Sequence, residues 1–346
     1  MSAKRKIWSV LKPGNLDRLS LLDDDLLAPA ENETTVRVEA VGLNFADVFA
    51  CLGLYSATPE GAFVPGLEFA GVVEETGERV MGLTRFGAYA TRINADTRYL
   101  WPLPDRWTAA QGAGYIVTAL TAWYALHELG ALKAGQLVLV QSAAGGVGLA
   151  ALASIKHHEA LAIGTIGNEA KIAALRQHSS LDHNQVIVRN RRCFDQQLAA
   201  ALEAAGRDGF DLVLDGIGGE LLPPLYNRLL PGGRIVVFGA AELMPRGSRP
   251  NYGRLGWQYW RRPKLDPLAM ISENRSVLGF NLIWLWNRVE QMQKLYAAMT
   301  VAPPSPPLIG HTFPFADAPD ALRLLQSGNS VGKIVLEVSS GPHGKR

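Results

Sequence analysis

Cysteine is nearly absent from this chain: Cys51 and Cys193 stand alone among 346 residues, with no CxxC pair. That excludes a disulfide framework and a four-cysteine metal site, and it fits a reducing compartment. No sign of charge dominates. A formal net charge of +2 gives no reason to expect nucleic acid as a partner. Long apolar runs are missing too; none approaches the ~18 residues that a membrane-spanning helix requires. The opening MSAKRKIWSV passes from a basic tip into a strand-like run without the apolar centre of a signal peptide. A cytoplasmic location is expected. The seven histidines form no HExxH, and the adjacent pair His157-His158 cannot both face one ion from a helix.

What is present begins with apolar surface. Hydrophobic residues make up 48% of the chain and charged residues 19%, enough for a substantial core. The length suggests two domains, or one interrupted by the other. The first third alternates with period two, as in Thr35–Val41, the mark of half-buried strands. Further strands are expected at Phe69–Val73 and Arg79–Met81. From Trp107 onward the pattern turns helical and rich in alanine.

The middle third alternates strand and helix, which predicts a doubly wound parallel sheet. Strands are expected at Leu137–Val140, Leu161–Thr165, Gln185–Val188, Leu212–Asp215, Ile235–Phe238 and Val277–Phe280. Helices are expected over Glu169–Gln177 and Cys193–Ala205. A proline-rich connector, Val301–Pro307, leads to a helix near Ala316–Gln326 and a strand at Lys333–Val338. The fold class is α/β: a β-rich domain split by an inserted nucleotide-binding domain. Boundaries are expected at residues 1–120, 121–300 and 301–346.

The most informative stretch is LVLVQSAAGGVGLA, Leu137 to Ala150. It reads as strand, glycine turn, helix, the context of a dinucleotide-binding turn. Ala144, Gly145, Gly146, Val147 and Gly148 carry the turn, and a helix beginning there aims free N–H groups at a pyrophosphate. The match to G-x-G-x-x-G is imperfect, because Ala143 and Ala150 stand where glycines are expected. An NAD site usually has an acid at the end of the second strand, about 20 residues past the turn, bonded to the ribose 2′-OH. Here that strand runs into Gly167-Asn168, without an acid at its end. Lys171 follows, and Arg189 closes the next strand. This favours NADPH, with both cations on its 2′-phosphate; the plain alternative is two solvated surface cations.

Together with VGLNFAD (Val41–Asp47), Gly53-Leu54-Tyr55, VPGLEFAG (Val64–Gly71), Arg79–Gly82, Leu120–Tyr124 and Val331–Leu336, these motifs resemble the medium-chain dehydrogenase/reductase superfamily, in its zinc-free quinone oxidoreductase branch. Gly279-Phe280-Asn281-Leu282 looks closest to the vesicle amine transport protein-like subgroup. The resemblance implies a GroES-like catalytic domain around a Rossmann domain, a homodimer, and NADPH-dependent reduction of quinones or α,β-unsaturated carbonyls. Zinc-dependent relatives use a Cys and a His where Asn44 and Leu67 stand, and neither is a plausible zinc ligand. The resemblance puts Asn44 beside the nicotinamide. It puts Thr121, Asn168, Phe238, Gly239, Phe280, Asn281 and Lys333 at cofactor-facing positions. Lys171 matches the family's lysine, whereas Arg189 replaces a common tyrosine while still supplying charge and a planar face.

Without a metal, a hydrogen-bond donor must meet the charge that develops on the substrate oxygen. Tyr55 is the candidate; the alternative is a Tyr packed on a loop. A second Tyr found in some relatives is Phe49 here, which cannot donate. Glu68 reads most simply as a strand carboxylate satisfied by nearby backbone. Gly328–Lys333 superficially suggests a phosphate loop, but it is one residue short, lacks the Ser/Thr and precedes a strand. Residues 242–264 interleave Arg246, Arg249, Arg254, Arg261, Arg262 and Lys264 with Tyr252, Trp257, Tyr259 and Trp260. A solvated basic rim, a lid over an apolar substrate and a weak anionic-membrane contact all fit. Two further readings therefore stay open beside the reductase: a nucleotide-binding, membrane-associated or lipid-handling protein with little turnover, and an enoyl-thioester reductase.

Overall fold

The computed structural model describes residues 3–302 and 304–338. Residue 303 of the expected proline-rich connector and residues 339–346 of the expected third segment lie outside that set. The chain opens with strands β1 (Ala3–Val10) and β2 (Leu19–Leu26), an antiparallel pair. Strand β3 (Glu33–Gly42), helix α1 (Phe45–Cys51) and strands β4 (Glu68–Val73), β5 (Arg79–Leu83), β6 (Arg92–Asp96) and β7 (Leu100–Pro102) follow. Helices α2 (Ala109–Ala113) and α3 (Ile116–Trp123) come next.

The middle of the chain alternates strictly. It runs β8 (Leu137–Val140), α4 (Gly146–His157), β9 (Leu161–Ile166), α5 (Ile172–His178), β10 (Val186–Val188), α6 (Phe194–Ala204), β11 (Phe210–Asp215), α7 (Leu222–Asn227) and β12 (Leu229–Val237). Two short helices, α8 (Tyr252–Trp260) and α9 (Pro267–Glu273), precede β13 (Ser276–Gly279). The tail holds α10 (Val289–Met299), β14 (Ile309–Pro314), α11 (Ala318–Ser327) and β15 (Lys333–Glu337).

Two compact units result. The first comprises residues 1–118, 245–250 and 283–346; the second comprises 119–244 and 251–282. The first unit carries a sheet ordered β14-β15-β3-β4-β5-β7, with β6 also paired to β3. The second carries six parallel strands ordered β10-β9-β8-β11-β12-β13. Its order reverses between β8 and β11, and ligands of such sheets bind outside the carboxyl ends at that point. Strands buried on both faces explain the unbroken apolar run at β8. Leu139, Val213 and Ile235 of three neighbouring strands pack with Leu198 of α6 and Leu225 of α7.

Two expectations are corrected. The expected return to the first unit at residue 301 occurs at Ile283 instead. The cause is packing: Ile283 joins Ala57 and Leu67, the ring of Trp286 stacks on Tyr99 at 4.0 Å, and Tyr296 stacks on Trp101 at 4.4 Å. Strand β12 begins at Leu229, not Ile235, because it continues through Pro231-Gly232-Gly233 with a bulge in its pairing to β11. That triplet reads as a turn in sequence, and Gly232 does adopt φ of 84°.

Candidate functional site

In the first unit the chemistry gathers where β3 ends. A Cβ on Gly42 would lie 2.0 Å from the carbonyl oxygen of Ala113, so only glycine fits there. Asn44 follows in extended conformation and starts α1. Its Nδ2 donates to Glu68 Oε1 at 3.0 Å and, at 3.4 Å, to the Gly42 carbonyl. Its Oδ1 accepts from Lys333 Nζ at 2.9 Å. Lys333 Nζ also donates to the Leu43 carbonyl at 2.7 Å and to Glu68 Oε1 at 2.6 Å. Glu68 Oε2 accepts from the backbone N–H of Val117 at 3.0 Å.

Three consequences follow. An ammonium has three donors, and all three of Lys333 are used inside this unit. Lys333 is therefore a cation that holds this network together. The amide of Asn44 has spent both N–H donors, so it orients and packs but has none left for a substrate oxygen. Glu68, expected to be satisfied by nearby backbone, has one backbone donor and in addition a buried ion pair, and both partners are almost fully buried. Such a pair demands full hydrogen bonding, which this one has.

Beneath it lies Asp47, fully buried. Its Oδ2 accepts from the Asn44 backbone N–H at 2.8 Å and from Tyr89 Oη at 3.2 Å, while Oδ1 has no partner. Burial pushes its carboxyl up to about 7, against the opposing pull of the Asn44 N–H and of Lys333. Tyr55 lies in the loop after α1. Its ring belongs to an apolar cluster with Ala57, Leu67, Phe86 and Ile283. Leu67, at the position of a zinc ligand in zinc-dependent relatives, thus serves as apolar wall.

In the second unit the glycine turn shows why its motif is imperfect. The left-handed residue is Ser142, with φ of 55°, so Ala143 needs no glycine. A Cβ on Gly148 would lie 2.6 Å from Ala143 Cα and from the Ser142 carbonyl oxygen. Gly164 on β9 makes room for the Ala143 methyl in the same way, at 2.8 Å. Gly145 precedes α4, and no side chain caps the helix. The N–H groups that open α4, from Gly146 to Gly148, are what an anion binds at a helix start.

A polar belt then crosses the carboxyl ends of four strands in sheet order. Arg189 Nη1, after β10, donates to Thr165 Oγ1 of β9 at 2.8 Å. Thr165 donates to Gln141 Oε1, after β8, at 3.2 Å. Gln141 Nε2 donates to Asp215 Oδ1 of β11 at 3.2 Å, and that oxygen also accepts from the N–H groups of Ile217 and Gly218. Asp215 Oδ2 has no partner, and burial raises its carboxyl. None of Gln141, Thr165 and Asp215 was singled out as a site residue from sequence, because each is an isolated polar residue at or just past the end of an apolar run.

Arg189 lies beside Gly167, and Lys171 opens α5 nearby. Burial, then the charge of Arg191, pulls the Arg189 guanidinium down to about 10. Burial, then the charge of Arg189, lowers the Lys171 ammonium. Asn168, exposed, caps the short turn before Lys171 by accepting from Ala170 N–H at 2.9 Å. Further along the edge, a Cβ on Gly239 would lie 2.5 Å from the Gly216 carbonyl, so the chains after β11 and β12 touch. Phe280 packs against Tyr124 and Phe238, with ring centres 4.9 Å and 6.1 Å apart. Thr121 and Asn281 are half-buried in the same unit. Arg191 meets Glu242 through two contacts of 2.6 Å, joining the turn after β10 to the turn after β12.

The structure thus brings Asn44 and Lys333 together through Glu68, with Tyr55 in an apolar cluster of the same unit. It brings the turn residues Ala144–Gly148, Lys171, Arg189, Phe238, Gly239 and Phe280 to the carboxyl edge of the other sheet. A doubly wound sheet with an anion-ready helix start, inserted in a β-rich unit with a buried amide–carboxylate–lysine network, is the build of a nucleotide-dependent oxidoreductase. Family profiles agree: one described as "Alcohol dehydrogenase GroES-like domain" matches residues 30–105, and one described as "Zinc-binding dehydrogenase" matches residues 182–336. The synaptic vesicle membrane protein VAT-1 homolog of Homo sapiens is 30% identical over 324 residues, covering 89% of this chain and 80% of that protein. The quinone oxidoreductase of Thermus thermophilus, solved also as its complex with NADPH, superposes with a TM-score of 0.79 at 30% identity, covering 96% of this chain and 100% of that one. The enoyl reductase CurK superposes with a TM-score of 0.78 at 25% identity, covering 97% and 99%. The chain belongs to the medium-chain dehydrogenase/reductase superfamily, in its zinc-free quinone oxidoreductase branch. Among the described residues, no group of three or more His, Cys, Asp or Glu is arranged to hold a metal ion, and no helix is long and apolar enough to cross a membrane.

Proposed function

We propose that this oxidoreductase uses NADPH to reduce quinones or α,β-unsaturated carbonyl compounds. The observation that carries the reading is the pair Lys171 and Arg189. Both cations are half-buried, both are held below their ordinary ranges by burial and like charge, and no acid stands at the end of β9. A phosphate monoester relieves that arrangement, and a ribose 2′-OH does not. The N–H groups opening α4 would take the pyrophosphate, and Phe238 and Phe280 offer apolar faces for the rest of the dinucleotide. When bound, the nicotinamide supplies hydride. In the first unit, Tyr55 is proposed as donor to the substrate oxygen as negative charge develops there. Asn44, held by Glu68 and Lys333, keeps the start of α1 fixed as a positioning residue. The solved complex of the Thermus thermophilus enzyme with NADPH supports the cofactor assignment by analogy.

A homodimer paired through β13, the edge strand of the parallel sheet, is part of this proposal. The likeness to an enoyl reductase favours one second reading, reduction of an enoyl thioester by the same chemistry. The deciding experiment follows NADPH oxidation by purified protein against quinones, simple enones and enoyl thioesters. Turnover confined to the first two classes is the expected result. Turnover of thioesters alone would select the second reading, and tight NADPH binding without turnover on any of them would overturn both.

A further inference from the structure

Helix α8 wears its apolar side outward. Helices at a protein surface normally turn aromatic residues to the core and charges to water. In α8 the residues that lean on the protein are Leu255 and Gln258, and Gln258 Nε2 reaches the Glu242 carbonyl at 3.3 Å. At ~100° per residue, Trp257 and Trp260 fall on the arc opposite those two and Tyr252 and Tyr259 on the flank beside Leu255, yet Tyr252, Trp257, Tyr259 and Trp260 all face water. They are 68%, 57%, 60% and 70% exposed. The next helix continues the pattern, with Leu268 at 73% and Ile271 at 76%. So much exposed apolar surface in one segment marks an interaction site.

The charges say what covers it. Arg254, Arg261, Arg262 and Lys264 are exposed around the aromatic arc, and no acid lies between Tyr252 and Leu265. Arg262 sits over the Tyr259 ring at 3.9 Å and Arg261 near the Trp257 ring at 5.8 Å. The nearby acids are engaged elsewhere: Asp266 caps α9, Glu273 pairs with Arg275, and Glu242 pairs with Arg191. Among the described residues Glu220 is the acid that approaches, at 3.8 Å from Arg261. A second copy of this chain placed face to face would set these four cations against four more, which costs association energy. A bilayer rich in anionic lipid meets both demands. Trp and Tyr settle at the headgroup level, and Arg and Lys pair with lipid phosphates and carboxylates.

We propose that the outward faces of α8 and α9 dock the protein on an anionic bilayer surface. The docking is peripheral and reversible, because the helices are short and lie along the surface. The test is co-sedimentation of the full chain with vesicles of phosphatidylcholine containing phosphatidylserine, against phosphatidylcholine alone. Two variants accompany it: W257Q/W260Q, and R254Q/R261Q/R262Q. All five side chains are exposed, and thermal unfolding checks that both variants fold. The expected result is binding only to the phosphatidylserine vesicles, falling with salt. It should weaken on the order of a hundredfold when three cations are removed, and comparably when the indoles are. Absence of binding to phosphatidylserine vesicles, or binding that neither variant weakens, would overturn the proposal. So would a concentration-dependent dimer abolished by W257Q/W260Q in a protein that ignores vesicles, which would give this face to a second copy.

Discussion

Two buried clusters of charge invite comparison. In the first unit, Lys333, Glu68 and Asn44 close on one another: every donor of the ammonium is used and the carboxylate accepts from three groups. In the second unit, Lys171 and Arg189 stand side by side with the same sign, and Arg189 donates to the neutral oxygens of Thr165 and Gln141. On the function proposed above, the difference is one between structure and ligand binding. A buried charge whose hydrogen bonds are complete holds the fold, and a new ligand gains little from it. A half-buried charge facing its like is held at a cost in stability, which an anionic ligand returns as affinity.

The largest effect should come from opening the closed cluster. Lys333→Ala leaves Glu68 ionised, buried and without its counter-ion. A loss of about 3–5 kcal/mol of unfolding free energy is expected, read from denaturant midpoints. The paired change Glu68→Gln with Lys333→Met should cost clearly less than Lys333→Ala alone, because no lone charge remains. If the single and paired variants unfold alike, the cluster is not held by charge pairing and the comparison fails.

Asp47 sharpens the comparison, because it is the incomplete member of the closed unit. One oxygen is bonded and the other has no partner. Its carboxyl sits at about 7 in the fold, chiefly through burial, against about 3.9 in an unfolded chain. Between those values the folded form keeps a proton that the unfolded form has released. Stability from this group is therefore highest below pH ~4, falls as pH rises, and is fully lost above pH ~7. The loss should be on the order of a few kcal/mol. In Asp47→Asn the amide oxygen keeps both bonds and the pH slope should flatten. Parallel stability–pH curves for wild type and variant would show that Asp47 ionises freely in the fold.

Sequence legibility followed the distance between partners along the chain. The six parallel strands and the glycine turn were legible because each rests on local pattern: an apolar run, a turn, a helix. Glycine-turn substitutions were legible as departures but not as tolerances, since Ser142 takes the left-handed conformation that the motif alone does not assign. The partners of Lys333 were not legible, because all three lie 265 or more residues away. The polar belt from Arg189 to Asp215 draws one residue from the end of each of four strands, and sheet order, not sequence order, makes it continuous. For residues 242–264 the composition was visible, but the outward orientation of α8 depends on Leu255 and Gln258 finding inward contacts.

The smallest of these effects belongs to the open cluster itself. Arg189→Ala deletes one of two adjacent cations, so Lys171 loses a repulsive neighbour and its ammonium becomes easier to keep protonated. The fold should lose little, since Thr165 keeps its bond to Gln141. What goes is a charge-assisted contact worth about 1.5–3 kcal/mol, or roughly a tenfold to hundredfold rise in the dissociation constant for NADPH. NADH has no 2′-phosphate to miss that contact, so its affinity should change by much less. Fluorescence titration of both nucleotides on wild type and variant separates the two. Equal losses for NADH and NADPH would mean that Arg189 serves the belt alone, and the second cluster would then be as structural as the first.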